Sequence, residues 1–432
     1  MNRLLSGNNI YIPLFFLFAA IVSLVIVFLP ANQSLFIGAA FFIIIVSFIS
    51  NEIALYFVIF SMLLSPEITI TTLGSGDIEL GRTVVIRFED ILLLLLGLSW
   101  FTKTAIYKEI GLIAKTPLNK PIFYYIGVCV LSTIFGIFRN DVSVMSGFFY
   151  VLKYFEYYVI YFIVVNNIDN LKDIKKILYA VFSTCIIICI YGLYQIPAGK
   201  RVSAPFEGET GEPNTLGGYL LILFFISAGI FLFSKRWKEK GITLFLMGII
   251  FLPFVYTLSR SSYLAFIPAS CIILYYVRKR IAVVATALLI IILMPFFLPK
   301  PAYERVEYTF KQPPQAKQLK IAGMRIDTST SERINAWLES GKDFIKHPFF
   351  GYGITGYKFR DAQYVRILME TGIIGLIAFI YLLYSLYKES LRILPKLSLC
   401  WCKGLIIGYI AVITALATHS IGANTFIIIR IM

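Results

Sequence analysis

Lys172-Asp173-Ile174-Lys175-Lys176 leads into Ile177-Leu178-Tyr179-Ala180-Val181-Phe182-Ser183-Thr184-Cys185-Ile186-Ile187-Ile188-Cys189-Ile190-Tyr191-Gly192-Leu193-Tyr194-Gln195-Ile196-Pro197, a run without a single charge. The hydrocarbon core of a bilayer is crossed by about 20 apolar residues in a helix. Backbone groups left unpaired in hydrocarbon are costly, so such a run reads as one spanning helix entered from a basic loop. Similar runs recur near 10–29, 34–50, 53–65, 89–102, 121–139, 148–166, 216–234, 241–259, 262–277, 281–298, 368–387 and 404–422. The expected fold is an all-α polytopic membrane protein with about 13 transmembrane helices, in a range of about 12–14.

Composition agrees. Of 432 residues, 59% are hydrophobic and 15% charged, and the mean hydropathy is +0.81. Soluble domains carry about 25% charged residues. The net charge of +15 is therefore read first as loop charge sorted by a membrane and not as a nucleic-acid footprint. Cys129, Cys185, Cys189 and Cys271 lie in apolar runs, and Cys400 and Cys402 in a basic loop, so no disulfide framework is expected. Ile10–Leu29 lacks a small-residue cleavage site and is read as a retained helix.

Lysine and arginine set the expected orientation. With the N-terminus in the cytoplasm, the inside loops hold Lys103, Lys108, Lys115 and Lys120; Lys172, Lys175 and Lys176; Lys235, Arg236, Lys238 and Lys240; Arg278, Lys279 and Arg280; and Lys388, Arg392, Lys396 and Lys403. The outside then receives short connections, a hairpin expected in 66–88 after Gly74-Ser75-Gly76-Asp77, and one long loop. The chain divides into 1–298, helices with short loops; 299–367, the long periplasmic or extracellular loop; and 368–432, two further helices and an outer tail. The long loop is basic, with Arg305, Lys311, Lys317, Lys320, Arg325, Arg333 and more, which implies an anionic partner on that face. Ser329-x-x-Glu332 matches a capping box, and Ile334, Trp337, Leu338, Gly341, Phe344 and Ile345 recur at helical spacing. An amphipathic helix over about 330–346, lying on the membrane surface, is expected.

Guanidinium forks pair with phosphate oxygens bidentately. Arg201, Arg260, Arg333 and Arg366 all fall on the expected outer side and are the candidates for holding a diphosphate. Arg260 stands out within Thr257-Leu258-Ser259-Arg260-Ser261-Ser262, where hydroxyls surround it between two apolar runs. Activating a hydroxyl calls for a base. Asp361 is the first candidate, and Glu207 and Glu212 in the loop before the run at 216 are the others. Asn214 and Tyr364 are candidates for sugar contact, although Asn214 also suits a helix cap. Lys153 and Glu156 lie at i, i+3 inside a span, where they pair with each other or line a lipid path. His347 reads as a helix-end residue, and His419 falls late in the last span. No P-loop, zinc-type spacing or acidic metal cluster is present in the sequence, so neither metal nor cofactor is expected.

Glu212-Pro-Asn-Thr-Leu-Gly-Gly-Tyr219, Thr257-Leu-Ser-Arg-Ser-Ser-Tyr-Leu264, Arg333-Ile-Asn-Ala-Trp337, His347-Pro-Phe-Phe-Gly-Tyr-Gly353, and Asp361-Ala-Gln-Tyr364 through Glu370-Thr-Gly-Ile-Ile-Gly375 occur in this order. Together they resemble the O-antigen ligase/polymerase superfamily over roughly 190 to 380, while the first half matches in hydropathy and topology alone. The resemblance implies a metal-independent glycosyltransferase of the bacterial inner membrane. It takes a glycan on an undecaprenyl-diphosphate carrier as donor and a second lipid-linked oligosaccharide as acceptor, with membrane lipids around it and a chain-length regulator as a partner. It assigns Arg201, Arg260 and Arg333 to the diphosphate. Ligases of the family often carry His-Asn where this chain has Asp361-Ala362, which points to the polymerase branch. The family also commonly continues with another helix, so the end at Met432 is read as a truncation. The rival readings are a ligase that moves finished glycan to lipid A core, a polysaccharide or lipid transporter, and a scaffold for polymer export.

Overall fold

The structure is a computed structural model that describes residues 51–64, 67–69, 85–87, 90–94, 96–98, 115–168, 170–199, 201–205, 211–277, 304, 307, 318–321, 324–325 and 327–426. The apolar runs at 10–29, 34–50 and 281–298 lie outside these residues. Ten helices are used below: α1 (Asn51–Leu64), α2 (Asn119–Phe138), α3 (Val144–Asn167), α4 (Leu171–Gln195), α5 (Pro213–Phe233), α6 (Trp237–Tyr256), α7 (Arg260–Tyr276), α8 (Thr328–Phe344), α9 (Gln363–Ile393) and α10 (Cys400–His419). Two small antiparallel pairs accompany them. β1 (Glu67–Thr69) pairs with β2 (Val85–Arg87), in line with the hairpin expected in 66–88, and β3 (Lys320–Ile321) pairs with β4 (Met324–Arg325).

Among the described residues seven helices are long and apolar enough to cross a membrane: α2, α3, α4, α5, α6, α9 and α10. α4 shows how the sequence produces one. Phe182, Cys185, Ile188, Cys189 and Gly192 are buried at helical spacing. Tyr179, Ile187, Ile190 and Tyr194 are exposed although apolar, as a lipid-facing side requires. The cysteines are free thiols, including Cys185 and Cys189 within α4.

α5 and α10 form the centre. Gly404 and Gly408, one helical turn apart, lie against Gly229, and a Cβ at Gly408 would meet the Phe225 carbonyl oxygen at 2.6 Å. Small residues let helix backbones approach closely where lipid supplies no hydrophobic drive for association. Leu216, Leu220, Leu221 and Phe225 of α5 are fully enclosed as a result. α7 packs on α10 and α5, and α2 packs on α9.

Contacts gather the connections at two ends: 138–144, 201–205, 257–260, 327–362 and 419–426 meet at one, and 171–175, 234–239 and 398–401 at the other.

α9 is broken at Gly372, whose φ of 67° suits glycine. The break is filled by the segment after α8. The amides of Tyr352 and Gly353 donate to the Met369 and Glu370 carbonyls at 2.9 Å each, and Ile373 N donates to Pro348 O at 2.9 Å. Ser132 of α2 donates to the Phe350 carbonyl and, at 2.6 Å, to that of Glu370. The Gly351–Gly356 turn thus plugs into a helix break, and the freed backbone groups are satisfied inside protein, as a membrane setting demands.

The helix expected over 330–346 forms as α8, but it begins at Thr328 with Asp327 at the N-cap position and not through the Ser329 capping box. Asp327 makes no side-chain cap bond, because its carboxylate is engaged elsewhere, as shown below. Trp337, Leu338 and Ile345 of the expected apolar stripe stay exposed.

Candidate functional site

The α6–α7 corner is tight. Leu258 takes a left-handed φ of 51°, unusual for a residue with a branched side chain. Ser259 caps α7, its hydroxyl accepting from Ser262 N. Arg201 reaches this corner from the α4–α5 connection and donates through Nε to Thr257 O at 3.0 Å and through Nη2 to Leu258 O at 3.3 Å. Val202 N also donates to Tyr256 O at 3.0 Å. Arg201 therefore caps the end of α6 and holds the turn that presents Arg260.

Arg260 is the first residue of α7, and its Nη1 lies 3.0 Å from Asp327 Oδ2. Asp327 is almost fully enclosed, and its Oδ1 has no hydrogen-bond partner among the described residues. A buried carboxylate oxygen left unsatisfied is costly, so this pair is poised for another polar group. Arg333, on the second turn of α8, lies 3.5 Å through Nη2 from Asp361 Oδ2. Asp361 is 54% exposed, and an exposed pair this long is weak and easily exchanged. The turn after α10 lies between Ser261, the residue after Arg260, and Arg333. A Cβ at Gly422 would meet Ser261 Oγ at 2.6 Å and come within 3.9 Å of Arg333 Nη1.

The same turn is knitted to the start of α9. Gln363 N donates to Ser420 O at 3.1 Å, Phe426 N donates to Gln363 Oε1 at 3.2 Å, and Asn424 Nδ2 donates to Arg360 O at 2.7 Å. His419 is buried here, 2.8 Å from Thr425 Oγ1 through Nδ1, beside Arg333 and the main chain of Asn214. The N-termini of α5, α7 and α9 face this end and add partial positive charge.

The structure brings Arg201, Arg260, Arg333, Asp361 and Asn214 to one corner. It treats the other expected residues differently. Arg366 is 4% exposed and holds Glu370 Oε1 at 3.2 Å one turn along α9, with Phe359 over its guanidinium at 5.5 Å. That buried pair removes it from an accessible diphosphate site, because breaking it would strand a buried charge. Tyr364 donates its hydroxyl to Ala417 O at 2.8 Å and so anchors α9 to α10. Glu212 occupies the N-cap position of α5 and accepts from Thr215 Oγ1 at 2.9 Å. Lys153 reaches Asp90 Oδ2 at 3.3 Å, some 14 Å along α3 from its start. Glu207 lies outside the described residues.

Arg360 and Lys358, the basic residues nearest Asp361 in sequence, hold Glu339, at 2.7 and 3.0 Å. Their bonds, Lys358 first, keep the Glu339 carboxyl below its usual range. Asp343 is likewise held low, by Lys346 and then by the Tyr357 hydroxyl. His347 packs edge-on against Tyr352 at 4.6 Å, in keeping with a helix-end role, and burial followed by Arg139 pushes its pKa down.

Asp327 and His419 are the residues that sequence reasoning passed over. Asp327 sits at the lip of the expected helix, and an acidic residue just before a capping pattern was the available signal. His419 was placed late in the last span without a role, although a histidine within an apolar span itself invites a search for a polar partner.

Residues 245–380 match the protein family described as O-antigen ligase. The match runs from α6 into α9 and so contains Arg260, Asp327, Arg333 and Asp361. No curated protein matches the chain.

Proposed function

We propose, from the match of residues 245–380 to the family described as O-antigen ligase, that this protein is a membrane glycosyltransferase, a polymerase of O-antigen or exopolysaccharide repeat units. The observation that carries the reading is the pairing of Arg260 and Arg333 with Asp327 and Asp361 around Ser261 and Gly422. Both arginines lie at one end of the bundle, and Asp361, the exposed carboxylate that holds Arg333, is one that a diphosphate can displace. In this reading the corner faces the periplasm, the N-terminus is cytoplasmic and the membrane is the bacterial inner membrane.

The donor is a glycan on an undecaprenyl diphosphate. Its diphosphate binds Arg260 and Arg333 on the turn that Arg201 braces, and takes Arg333 from Asp361. The freed Asp361 carboxylate accepts the proton of the acceptor hydroxyl. The hydroxyl oxygen bonds to the anomeric carbon, and the bond from that carbon to the phosphate oxygen breaks. The lipid diphosphate leaves with the bonding electrons, its added negative charge met by the arginines. Asn214 and the exposed rim of α8 line the sugar side. The arginines supply the positive charge in this scheme, so it calls on no metal.

Asp361-Ala362, in place of His-Asn, supports the polymerase branch over the ligase branch. Carrier-lipid analysis of a deletion strain tests the choice. Single lipid-linked repeat units accumulate if the protein polymerises. Finished chains that remain on the carrier would overturn this in favour of a ligase.

A further inference from the structure

The opposite end of the bundle holds a cavity of about 410 Å³ that the proposed chemistry does not use. Its walls come from the start of α4, the α5–α6 connection and the α9–α10 connection, and include Lys172, Lys175, Lys235, Arg236, Glu239 and Trp401. Four cations face one carboxylate, so the cavity favours an anion. Lys175 is fixed, with its Nζ 2.9 Å from Glu239 Oε1 and 4.6 Å above the Trp401 ring. Glu239 also accepts from Ser234 Oγ at 2.5 Å and lies 3.9 Å from Arg236. The carboxylate thus orders the floor of the cavity, and the rim of Lys172, Lys235 and Arg236 faces outward.

A second feature says what kind of anion belongs there. Lys175, Glu239 and Trp401 also line a narrow crevice that runs on from the cavity between α4, α5 and α6, walled by Leu178, Phe182, Ile230 and Ile242. Those residues belong to helices long and apolar enough to span a bilayer, one or two turns in from their basic ends. A tryptophan at such a level is the usual mark of the membrane–water interface. A soluble anion has no use for the crevice. A phospholipid uses both parts, with its phosphate among the rim cations and the first methylenes of one acyl chain entering the crevice, which is about 40 Å³, along the apolar wall.

We propose that this end carries a binding site for an anionic phospholipid of the surrounding leaflet. Clusters of basic residues between spanning helices are the physical means by which such headgroups are held. The lipid would tie together three connections distant in sequence, at the end of the bundle away from the arginine corner.

Native mass spectrometry of the purified full chain tests this after equilibration with phosphatidylglycerol or phosphatidylcholine. Wild type should retain phosphatidylglycerol about tenfold better than phosphatidylcholine. The combined variant K172Q/K235Q/R236Q leaves the Lys175–Glu239 floor intact and should lose that preference. Ile242→Trp fills the crevice, leaves every charge in place and should also lower retention. Equal retention of the two lipids by wild type would overturn the proposal, as would undiminished preference in K172Q/K235Q/R236Q or undiminished retention in Ile242→Trp. Displacement of the lipid by inorganic phosphate alone would reassign the cavity to a free anion.

Discussion

The two ends of this bundle are both basic, and they are basic in different ways. At one end Lys172, Lys235 and Arg236 stand around an open rim, and only Lys175 is held closely. At the other, the arginines Arg260, Arg333 and Arg360 each meet a carboxylate well away in sequence, Asp327, Asp361 and Glu339. Lysine is a compact point charge that suits retention beside a bilayer surface, whereas the arginine fork suits bidentate phosphate recognition. Net charge alone, which first drew attention to both faces, does not tell them apart. Partner and geometry do.

The contrast extends along the bundle axis, because Arg366 has the same side chain as Arg260 and sits in a buried pair. Arg366→Ala should strand Glu370 and destabilise the fold by about 3–5 kcal/mol. Thermal unfolding in micelles measures this, and an unchanged midpoint would erase the distinction between buried and corner arginines. Arg333→Ala should do the reverse. Transfer should fall about 100- to 1000-fold, with an unfolding midpoint close to wild type, whereas Arg260→Ala also takes the cation from the enclosed Asp327 and should lower both transfer and midpoint. Arg260→Lys keeps the charge and loses the fork, so it should recover only part of the activity. Polymer length on gels, read beside folded yield, separates these outcomes.

Asp361→Asn sharpens the comparison among the carboxylates at the arginine end. It should lower transfer about 100-fold if Asp361 receives the proton. Glu339→Gln, which loosens the tie of Arg360 and Lys358, should leave transfer within about twofold, because exposed pairs contribute little. Equal losses in the two variants would show that the surface network as a whole matters and not one base.

The smallest effect concerns acid. The carboxyls of Glu339 and Asp343 are held low in the folded protein. Their contribution to stability is present above the unfolded values, roughly pH 4, and is lost as pH falls through the depressed folded values. Hydrogen exchange over 339–358, corrected for its intrinsic pH dependence, should show freer opening in acid.

The sequence made part of this readable. The run after Lys176 announced α4 because period, length and flanking charge all agreed, and its buried face follows the expected spacing. The arginines of the corner were also legible, since a guanidinium between two apolar runs has few places to go. Asp327 was not, because its partner Arg260 lies far away in sequence and an N-cap residue has a sufficient local explanation. Arg366 was misjudged for the related reason that burial cannot be seen from a loop boundary. The break at Gly372 was also missed. It depends on the Pro348–Gly353 segment returning to satisfy the freed carbonyls, which is a tertiary fact.

The most direct test of the central claim uses the purified full chain in lipid nanodiscs, given an oligosaccharide on undecaprenyl diphosphate. The account predicts a ladder of longer lipid-linked glycans with one carrier diphosphate released per bond formed, and neither product from Arg333→Ala. Absence of carrier release by the wild-type protein, or equal release by Arg333→Ala, would contradict it.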